Sequence, residues 1–450
     1  MKVIDRGRLE RLMDTEQQRF VDEHPRSHAL ADRATSSLLG GVPMHWMAKW
    51  AGSFPVFVAE ASGARFTDVD GLEYVDLCLG DTGAMTGHAP GATVAAVTRQ
   101  LGRGITHMLP TEDAVAVGEE LQRRFGLPYW QFALSATDAN RFSIRLAREI
   151  TGRPRVLVFN GCYHGTVDET FATLDGDRVV PRRGNLGPPV EPAVTTRVVE
   201  FNDPAGLEAA LASRDVACVL AEPALTNVGI VLPDAGYHQV LRELTRRAGT
   251  LLILDETHTI CAGPGGCTEA NGLEPDILVV GKPIGGGIPA AAYGLSAAVA
   301  SGIARHITLE DCDVGGIGGT LAGYALSLAA VRATLESVLT REAYAHMIPL
   351  AERWADGVAS AIDEAALPWH VTRLGARAEY HFAPAAPRNG AEAAASGDFE
   401  LERFLHLYML NRGILLTPFH NMALMSPATT EADVDRHTLV FREALRQLAG

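Results

Sequence analysis

Two short segments, LLILDETH at residues 251–258 and ILVVGKPIGGG at residues 277–287, decide the fold. Each begins with four apolar residues, the length of a short buried strand, and then becomes polar or rich in glycine. Similar apolar runs occupy residues 156–159 and 217–220, and amphipathic stretches long enough for helices lie between several of these runs. Buried strands that alternate with helices predict an α/β fold with a central, mostly parallel sheet and helices on both faces.

Residues able to do chemistry follow these runs directly. Asp255 ends the apolar run of the earlier segment, and Lys282 follows the run of the later one after a single glycine. Glu222 follows the run at residues 217–220 in the same way. Because ligands in such folds bind beyond the carboxyl ends of the strands, we expect these side chains to line one site.

Lysine is rare in this chain, which narrows the search for a reactive amine. Only Lys2, Lys49 and Lys282 are lysines among the 39 basic residues, a bias that we attribute to coding preference for arginine. A lysine at the end of an apolar strand and before a run of glycines has no evident role on the surface. Lys282 is therefore the best candidate for amine chemistry.

Two further segments complete a recognisable set. Ser135-Ala136-Thr137-Asp138 precedes a predicted helix and is typical of a helix N-terminus that binds an anion, while Tyr163 follows the strand at 156–159. A lysine that forms an imine, a carboxylate for a pyridine nitrogen, an aromatic ring and a phosphate cup together predict pyridoxal phosphate. Taken alone, Asp255 would be interpreted as a helix-capping or loop residue, and Tyr163 as a core residue.

Other phosphate and metal motifs do not fit the sequence. A Walker loop would need glycine in place of Asp276 and serine or threonine in place of Pro283. Gly263-Pro264-Gly265 does not continue into a dinucleotide-binding fingerprint, and H-E-x-x-H does not occur. The sequence therefore predicts no metal site.

Composition excludes several classes of function. The chain has 450 residues, 47% hydrophobic and 21% charged, with a formal net charge of −15, which argues against binding to nucleic acid or to an anionic membrane. Six scattered cysteines without a C-x-x-C pair, and an N-terminus without a signal peptide, predict a cytoplasmic protein with reduced thiols. Residues 283–304 carry no charge, but their prolines and glycines argue against a membrane span.

The change of pattern along the chain predicts three regions. Residues 1–75 form an N-terminal segment, residues 76–335 form the large sheet domain, and residues 336–450 form a C-terminal small domain. We expect the two chain ends to build one smaller α+β lobe.

At this point the sequence resembles the class III aminotransferases, which are pyridoxal-phosphate enzymes of fold type I, and within them the branch of glutamate-1-semialdehyde aminomutase and β-phenylalanine aminotransferase. The resemblance runs from about Gly40 to the C-terminus. Its motifs are Asp68-Val69-Asp70-Gly71, Tyr74, Asp76, Gly87-His88, Ser135 to Asn140, Tyr163-His164-Gly165, Glu222-Pro223, Asp255-Glu256, Gly281-Lys282 with the following glycines, and Gly319 to Gly323.

The resemblance implies a role for each matching residue. Lys282 would form the Schiff base with the cofactor and move a proton, and Asp255 would pair with the pyridinium nitrogen. Thr320 would bind the phosphate of a neighbouring subunit, which implies a homodimer with active sites at the subunit interface. The remaining implied cofactor contacts are Ser135, Ala136, Thr137, Tyr163, His164, Glu222, Asn227 and Thr257.

The substrate pocket departs from the family pattern. The β-phenylalanine branch has one arginine near the start of the chain and a second near its end. In this sequence His45 stands at the first position and Phe419 at about the second. The expected pocket consists of His45, Trp46, Asp81, Met85 and Phe419. With few cations in it, we expect a donor that has a bulky apolar group and need not carry an α-carboxylate. The alternative is that Arg377 or Arg412 reaches into the pocket.

These observations predict a transaminase that moves an amino group from an amine or β-amino acid to a keto acid, pyruvate or 2-oxoglutarate, by a ping-pong cycle. An alternative keeps the cofactor but returns the amine to the same molecule, as an aminomutase or an epimerase does. A non-catalytic binding or scaffold protein is a third hypothesis. The presence of Lys282, Asp255, Tyr163 and Thr320 argues against it.

Overall fold

The protein is described by a computed structural model that covers residues 4–306 and 315–449, so that Lys2 and Cys312 lie outside the described residues. The helices are α1 (Arg6–Glu23), α2 (Pro25–Ala34), α3 (Gly91–Leu101), α4 (Glu112–Phe125), α5 (Ala136–Thr151), α6 (Pro192–Thr195), α7 (Pro204–Leu211), α8 (Tyr237–Ala248), α9 (Gly266–Asn271), α10 (Ala297–His306), α11 (Ala325–Ser337), α12 (Arg341–Glu364), α13 (Gly390–Ala395), α14 (Phe399–Leu410) and α15 (Glu431–Ala449).

The strands are β1 (Val58–Ser62), β2 (Arg65–Asp68), β3 (Glu73–Asp76), β4 (Tyr129–Ala133), β5 (Arg155–Phe159), β6 (Ala172–Asp175), β7 (Arg178–Pro181), β8 (Thr196–Val199), β9 (Val216–Ala221), β10 (Leu251–Asp255), β11 (Ile277–Val280), β12 (Ala291–Leu295), β13 (His370–Leu374), β14 (Arg377–His381), β15 (Ile414–Leu415) and β16 (Met422–Leu424).

The chain divides into two compact units. The sheet unit comprises Gly91–Tyr344 and Pro387–Ala395, and the end unit comprises Met1–Pro90, Ala345–Ala386 and Ser396–Gly450. Each unit is therefore assembled from separate stretches of the chain. The domain boundaries that the sequence predicts, after residues 75 and 335, stay predictions.

The sheet unit is built on a seven-stranded sheet in the order β4-β12-β11-β10-β9-β5-β8. Strands β8, β5, β9, β10 and β11 pair in parallel, and β12 alone runs antiparallel to its two neighbours, β11 and β4. Strands β9, β10 and β11 consist almost wholly of buried apolar residues, as expected for strands covered on both faces. The predicted α/β fold with a mostly parallel sheet is confirmed.

Strand register places the carboxyl ends of the central strands side by side. Asp255 of β10 pairs with Val279 of β11, and Leu254 pairs with Ala221, the last residue of β9. The side chains that follow these strands therefore meet at one edge of the sheet.

The end unit carries two smaller sheets, β1-β2-β3-β15 and β13-β14-β16. Helix α1 packs against α14, and α14 against α15, around a core that includes Phe20, Tyr74 and Leu407. Across residues 4–306 and 315–449, each helix is too short or too polar to cross a membrane.

Candidate functional site

The backbone at Lys282 is strained where the site begins. Lys282 has a φ of 49°, in the left-handed region that residues other than glycine seldom adopt, and Pro283 follows it. Such a conformation costs about 1–3 kcal/mol and persists only where the surroundings hold it, most often at functional sites. The strain therefore marks Lys282 as a residue whose position is imposed by its neighbours.

Gly281 allows the N-terminus of α5 to approach this strand end closely. A Cβ atom on Gly281 would lie 3.0 Å from the Cβ of Ala136, the first residue of α5. The methyl group of Ala136 thus occupies the space that a side chain at position 281 would need. The predicted phosphate cup and the predicted catalytic lysine are brought together by this contact.

Hydroxyl groups of Ser135 and Thr137 lie at the N-terminus of α5. The Ser135 hydroxyl accepts a hydrogen bond from the amide of Asp138 at 3.2 Å. The hydroxyl of Thr137 accepts one from the amide of Thr166 at 3.0 Å, and a Cβ on Gly165 would lie only 2.1 Å from that hydroxyl. Amides in the first turn of a helix lack partners within the helix and attract anions such as phosphate.

The carboxylate of Asp255 is buried and accepts hydrogen bonds from three directions. Its Oδ2 atom lies 2.8 Å from Nδ2 of Asn140 and 3.0 Å from Nδ1 of His164, and its Oδ1 accepts from the amide of Thr257 at 3.1 Å. Asn140 also donates to the carbonyl of His164 at 3.2 Å. Asp255 is 4% exposed, so the protein rather than water solvates it.

These contacts keep Asp255 ionised. Burial alone would raise the pKa of Asp255, but the hydrogen bond and charge of His164, with the hydrogen bond of Asn140, lower it below its ordinary value. Burial alone would lower the pKa of His164, but Cys162 and Asp255 raise it to about 10. The pair is therefore a carboxylate beside an imidazolium at neutral pH.

Glu222 and Asn227, two other predicted cofactor residues, lie in the segment that follows β9. Glu222 is buried after β9 and accepts a hydrogen bond from Thr226. Asn227 donates to the carbonyl of Gly161 at 3.2 Å, which ties this loop to the segment that carries Tyr163. Thr320 is exposed on the surface of the sheet unit.

Sequence reasoning missed a histidine beside the predicted catalytic lysine. Nε2 of His258 lies 2.7 Å from Nζ of Lys282. His258 belongs to the DETH segment that decides the fold, so its position close after Asp255 was a signal that the sequence contained. The direction of its side chain could not be read from that position.

The residues present fit pyridoxal phosphate. Among the described residues, the buried hydroxyl Oγ1 of Thr257 has no hydrogen-bond partner, which leaves it a donor for a bound group. The ionised carboxylate of Asp255 suits a protonated pyridine nitrogen, and the α5 N-terminus suits a phosphate. These residues, with Lys282, supply what the cofactor needs.

Two of the predicted substrate residues are in contact within the end unit. The rings of Trp46 and Phe419 meet edge to face with their centroids 5.8 Å apart. The ammonium of Lys49, which the sequence analysis did not place in the pocket, lies 5.4 Å from the centroid of the Phe419 ring. Trp46, Lys49 and Phe419 thus form a surface, here called the aromatic–lysine surface. The scarcity of lysine in the chain was the signal that could have found Lys49.

The remaining predicted pocket residues differ in exposure. His45 is exposed, while Met85 is completely buried. Asp81 has a φ of 49° within a loop where Leu79 and Thr82 also have positive φ values. Strain of this kind is consistent with a functional loop.

The two arginines considered as alternatives are held elsewhere in the end unit. Arg412 forms an ion pair with Glu16 at 2.9 Å. Arg377 is fully buried, 3.6 Å from Glu379, and His420 lies 3.2 Å from the same carboxylate. Burial would raise the pKa of Glu379, but the charge and hydrogen bond of His420 and the charge of Arg377 lower it to about 2. Both arginines therefore balance carboxylates of the protein.

Comparisons with known proteins find relatives over most of the chain. The family described as "Aminotransferase class-III" matches residues 46–445. A glutamate-1-semialdehyde 2,1-aminomutase of Sorangium cellulosum is 36% identical over 433 residues, which cover 94% of this chain and 97% of that protein. The crystal structure of a glutamate-1-semialdehyde aminomutase from Pseudomonas aeruginosa PAO1 is 53% identical, with a TM-score of 0.96 and 99% of each chain covered. A variant of that protein was solved in complex with PMP. A β-phenylalanine aminotransferase of Variovorax paradoxus is 25% identical, with a TM-score of 0.85 and 97% of each chain covered.

The prediction of a transaminase that passes an amino group to a separate keto acid is wrong. The relatives that are 36% and 53% identical, which cover 94% and 99% of this chain, are aminomutases, and this supports the alternative that the amine returns to the same molecule. The error has a physical reason: the cofactor residues serve both reactions, so the prediction rested on a shortage of cations near Phe419. Lys49 lies at that place.

The raised pKa of His164 predicts a pH-dependent contribution to stability. Because the pKa rises from 6.5 to about 10 on folding, protonated His164 stabilises the fold fully below pH 6.5, and this contribution is lost as the pH rises to about 10. At pH 6.5 we expect the free energy of unfolding of the wild-type apo-protein to exceed that of His164→Asn. This difference should shrink as the pH rises to about 10. Denaturant unfolding of both proteins at several pH values measures it.

A matched control is His238→Asn in the same unit. Burial lowers the pKa of His238, so its contribution to stability should change below pH 6.5 and stay flat above it. A difference between wild type and His164→Asn that does not vary between pH 6.5 and 10 would contradict the imidazolium–carboxylate pair.

Proposed function

Because this chain belongs to the class III aminotransferase family, whose members use pyridoxal phosphate, we propose that it is an aminomutase that moves an amino group between adjacent carbons of one small molecule. The substrate class is an α-amino aldehyde of the glutamate-1-semialdehyde type. The identity and coverage of the aminomutase relatives carry this proposal.

The proposed reaction is an isomerisation. In glutamate-1-semialdehyde the amine is on carbon 2 and the aldehyde oxygen on carbon 1. In a 2,1-aminomutase reaction the amine moves to carbon 1 and the carbonyl to carbon 2, so that no atom is gained or lost. A keto-acid acceptor is therefore not required.

The side chains of the sheet unit have distinct tasks in this reaction. Pyridoxal phosphate, when bound, supplies an electron sink for the pair released when a bond to the amine-bearing carbon breaks. Lys282 anchors the cofactor and moves protons at its Nζ atom. Asp255 supplies the negative charge that keeps the pyridine nitrogen protonated, and the N-terminus of α5 binds the phosphate. Tyr163 would stack against the ring, as the family resemblance implies.

Two further features belong to the proposal. The exposed Thr320 is available to bind the phosphate of a neighbouring subunit, which supports a homodimer with shared active sites. The five described cysteines are buried thiols, which supports a reducing compartment such as the cytoplasm.

The aromatic–lysine surface supplies a cation for the substrate. A substrate of the glutamate-1-semialdehyde type carries a carboxylate at the end remote from the reacting carbons. We assign Lys49 to that carboxylate, with the rings of Trp46 and Phe419 beside it in the end unit.

Isotope labelling tests the proposed reaction directly. The holoenzyme is incubated with glutamate-1-semialdehyde that carries 15N at its amine, without any keto acid. We expect complete conversion to the isomeric amino ketone with the label retained, because the labelled amine is not passed to a separate acceptor. Mass spectrometry of the product measures the label.

The control for this experiment is Lys282→Ala, which should fold and bind the cofactor non-covalently but convert at most about one part in a thousand as fast. Conversion by the wild-type enzyme that proceeds only after pyruvate or 2-oxoglutarate is added would contradict the aminomutase proposal.

Replacement of Lys49 tests the assigned substrate contact. An exposed ion pair is worth about 1 kcal/mol or less, so Lys49→Met should raise KM for the carboxylate-bearing substrate by about two- to fivefold and leave kcat nearly unchanged. Lys49→Arg should behave like wild type because it keeps the cation. Steady-state kinetics measures both parameters.

Arg26→Met, which removes another exposed cation of the end unit, controls for a general effect of surface charge. Equal KM values for wild type and Lys49→Met would remove Lys49 from the substrate site.

A further inference from the structure

The amine of Lys282 lies against a side chain that the proposed reaction does not use. Nζ of Lys282 is 2.7 Å from Nε2 of His258, the separation of a short hydrogen bond between two nitrogen atoms. His258 is partly buried in the turn that follows β10. The contact joins the turn after one central strand to the end of its neighbour.

Both residues are held in place by their surroundings. On one side of His258 the amide of Thr257 donates to Asp255 at 3.1 Å. On the other side the hydroxyl of Thr259 donates to the buried carboxylate of Glu256, which also accepts from the amide of Thr268 at 2.6 Å. The positive φ of Lys282 fixes the opposite end of the contact. The hydrogen bond therefore does not join two freely moving surface side chains.

The chemistry of the two groups allows the proton to lie on either nitrogen. A charged amine has only donors, so it can donate to an unprotonated Nε2, while a neutral amine can accept from a protonated Nε2. The same separation serves both arrangements. Imidazole is the side chain that most readily both accepts and donates a proton near neutral pH.

We infer that His258 is the positioning and proton-exchange partner of Lys282. The N–H bond on Nζ breaks as an N–H bond on Nε2 forms, the electron pair stays on Nζ, and the reverse transfer restores the starting state. This inference rests on the proposed role of Lys282 as the lysine that binds the cofactor. No oxidant, reductant or other reactant is involved.

Such a partner meets a requirement of lysine chemistry. The amine must be neutral when it attacks a carbonyl and protonated when it returns a proton to carbon. A neighbour that takes up the proton in one step and gives it back in the next lets Nζ alternate between these states without waiting for solvent.

Uptake of pyridoxal phosphate by the apo-protein tests the inference without any substrate. Stopped-flow absorbance measures the uptake rate for wild type, His258→Ala and His258→Gln at one pH near neutrality. We expect both variants to be slower by at least about tenfold, because glutamine can hold Nζ in position but cannot take up its proton. Added imidazole should accelerate His258→Ala.

The matched control is His238→Gln. His238 is partly buried in the same unit and its Nε2 lies 2.7 Å from the carbonyl of Pro223, so its loss should leave the uptake rate within about twofold of wild type. Uptake by His258→Gln as fast as by wild type, or uptake by His258→Ala within about twofold of wild type, overturns the proton exchange.

A second measurement leaves His258 intact. In the apo-protein labelled with 15N-histidine, Lys282→Met should shift the signals of the His258 ring nitrogens, because it removes their partner. Unchanged ring signals overturn the contact.

The uptake assay involves no substrate, so it remains a valid test of the His258 inference even if the aminomutase assay fails. Equally, a failed uptake test does not affect the result of the isotope experiment.

Discussion

An ionised carboxylate in the protein interior is the constraint on which the site depends. The burial of an unpaired charge costs several kcal/mol, and at Asp255 this cost is offset by donors from His164, Asn140 and the amide of Thr257. These donors come from the loop after β5, from α5 and from the turn after β10. Asp255 can therefore remain ionised only when the sheet, α5 and the loop are in place together.

The same elements position the amine of Lys282, the proposed catalytic group. Strand β11 pairs with β10 in parallel, so Lys282 leaves the sheet beside Asp255, and Gly281 lets the methyl group of Ala136 pack against this strand end. The strained φ of Lys282 is stable because the chain on both sides of it is fixed. One set of packing contacts thus sets the positions of the carboxylate, the amine and the phosphate cup.

The sequence predicted the fold and the cofactor, and it named the residues of the proposed cofactor site, but it did not predict the contacts of His258 and Lys49. Continuous apolar runs at β5, β9, β10 and β11 are required for strands buried on both faces, and the position of ligands beyond strand ends follows from topology. The contact of His258 with Lys282 depends on the direction of a side chain in a turn, which periodicity does not encode. The place of Lys49 beside Phe419 joins distant parts of the chain, which periodicity does not encode either.

The state of the cofactor ring nitrogen tests the central claim most directly, namely that Asp255 stays ionised and keeps that nitrogen protonated. The measurement is the 15N NMR spectrum of the wild-type holoenzyme reconstituted with pyridoxal phosphate labelled at its ring nitrogen, with Asp255→Ala as the reference. The account predicts a protonated ring nitrogen in the wild type across neutral pH and an unprotonated one in the variant. An unprotonated ring nitrogen in the wild-type enzyme would contradict it.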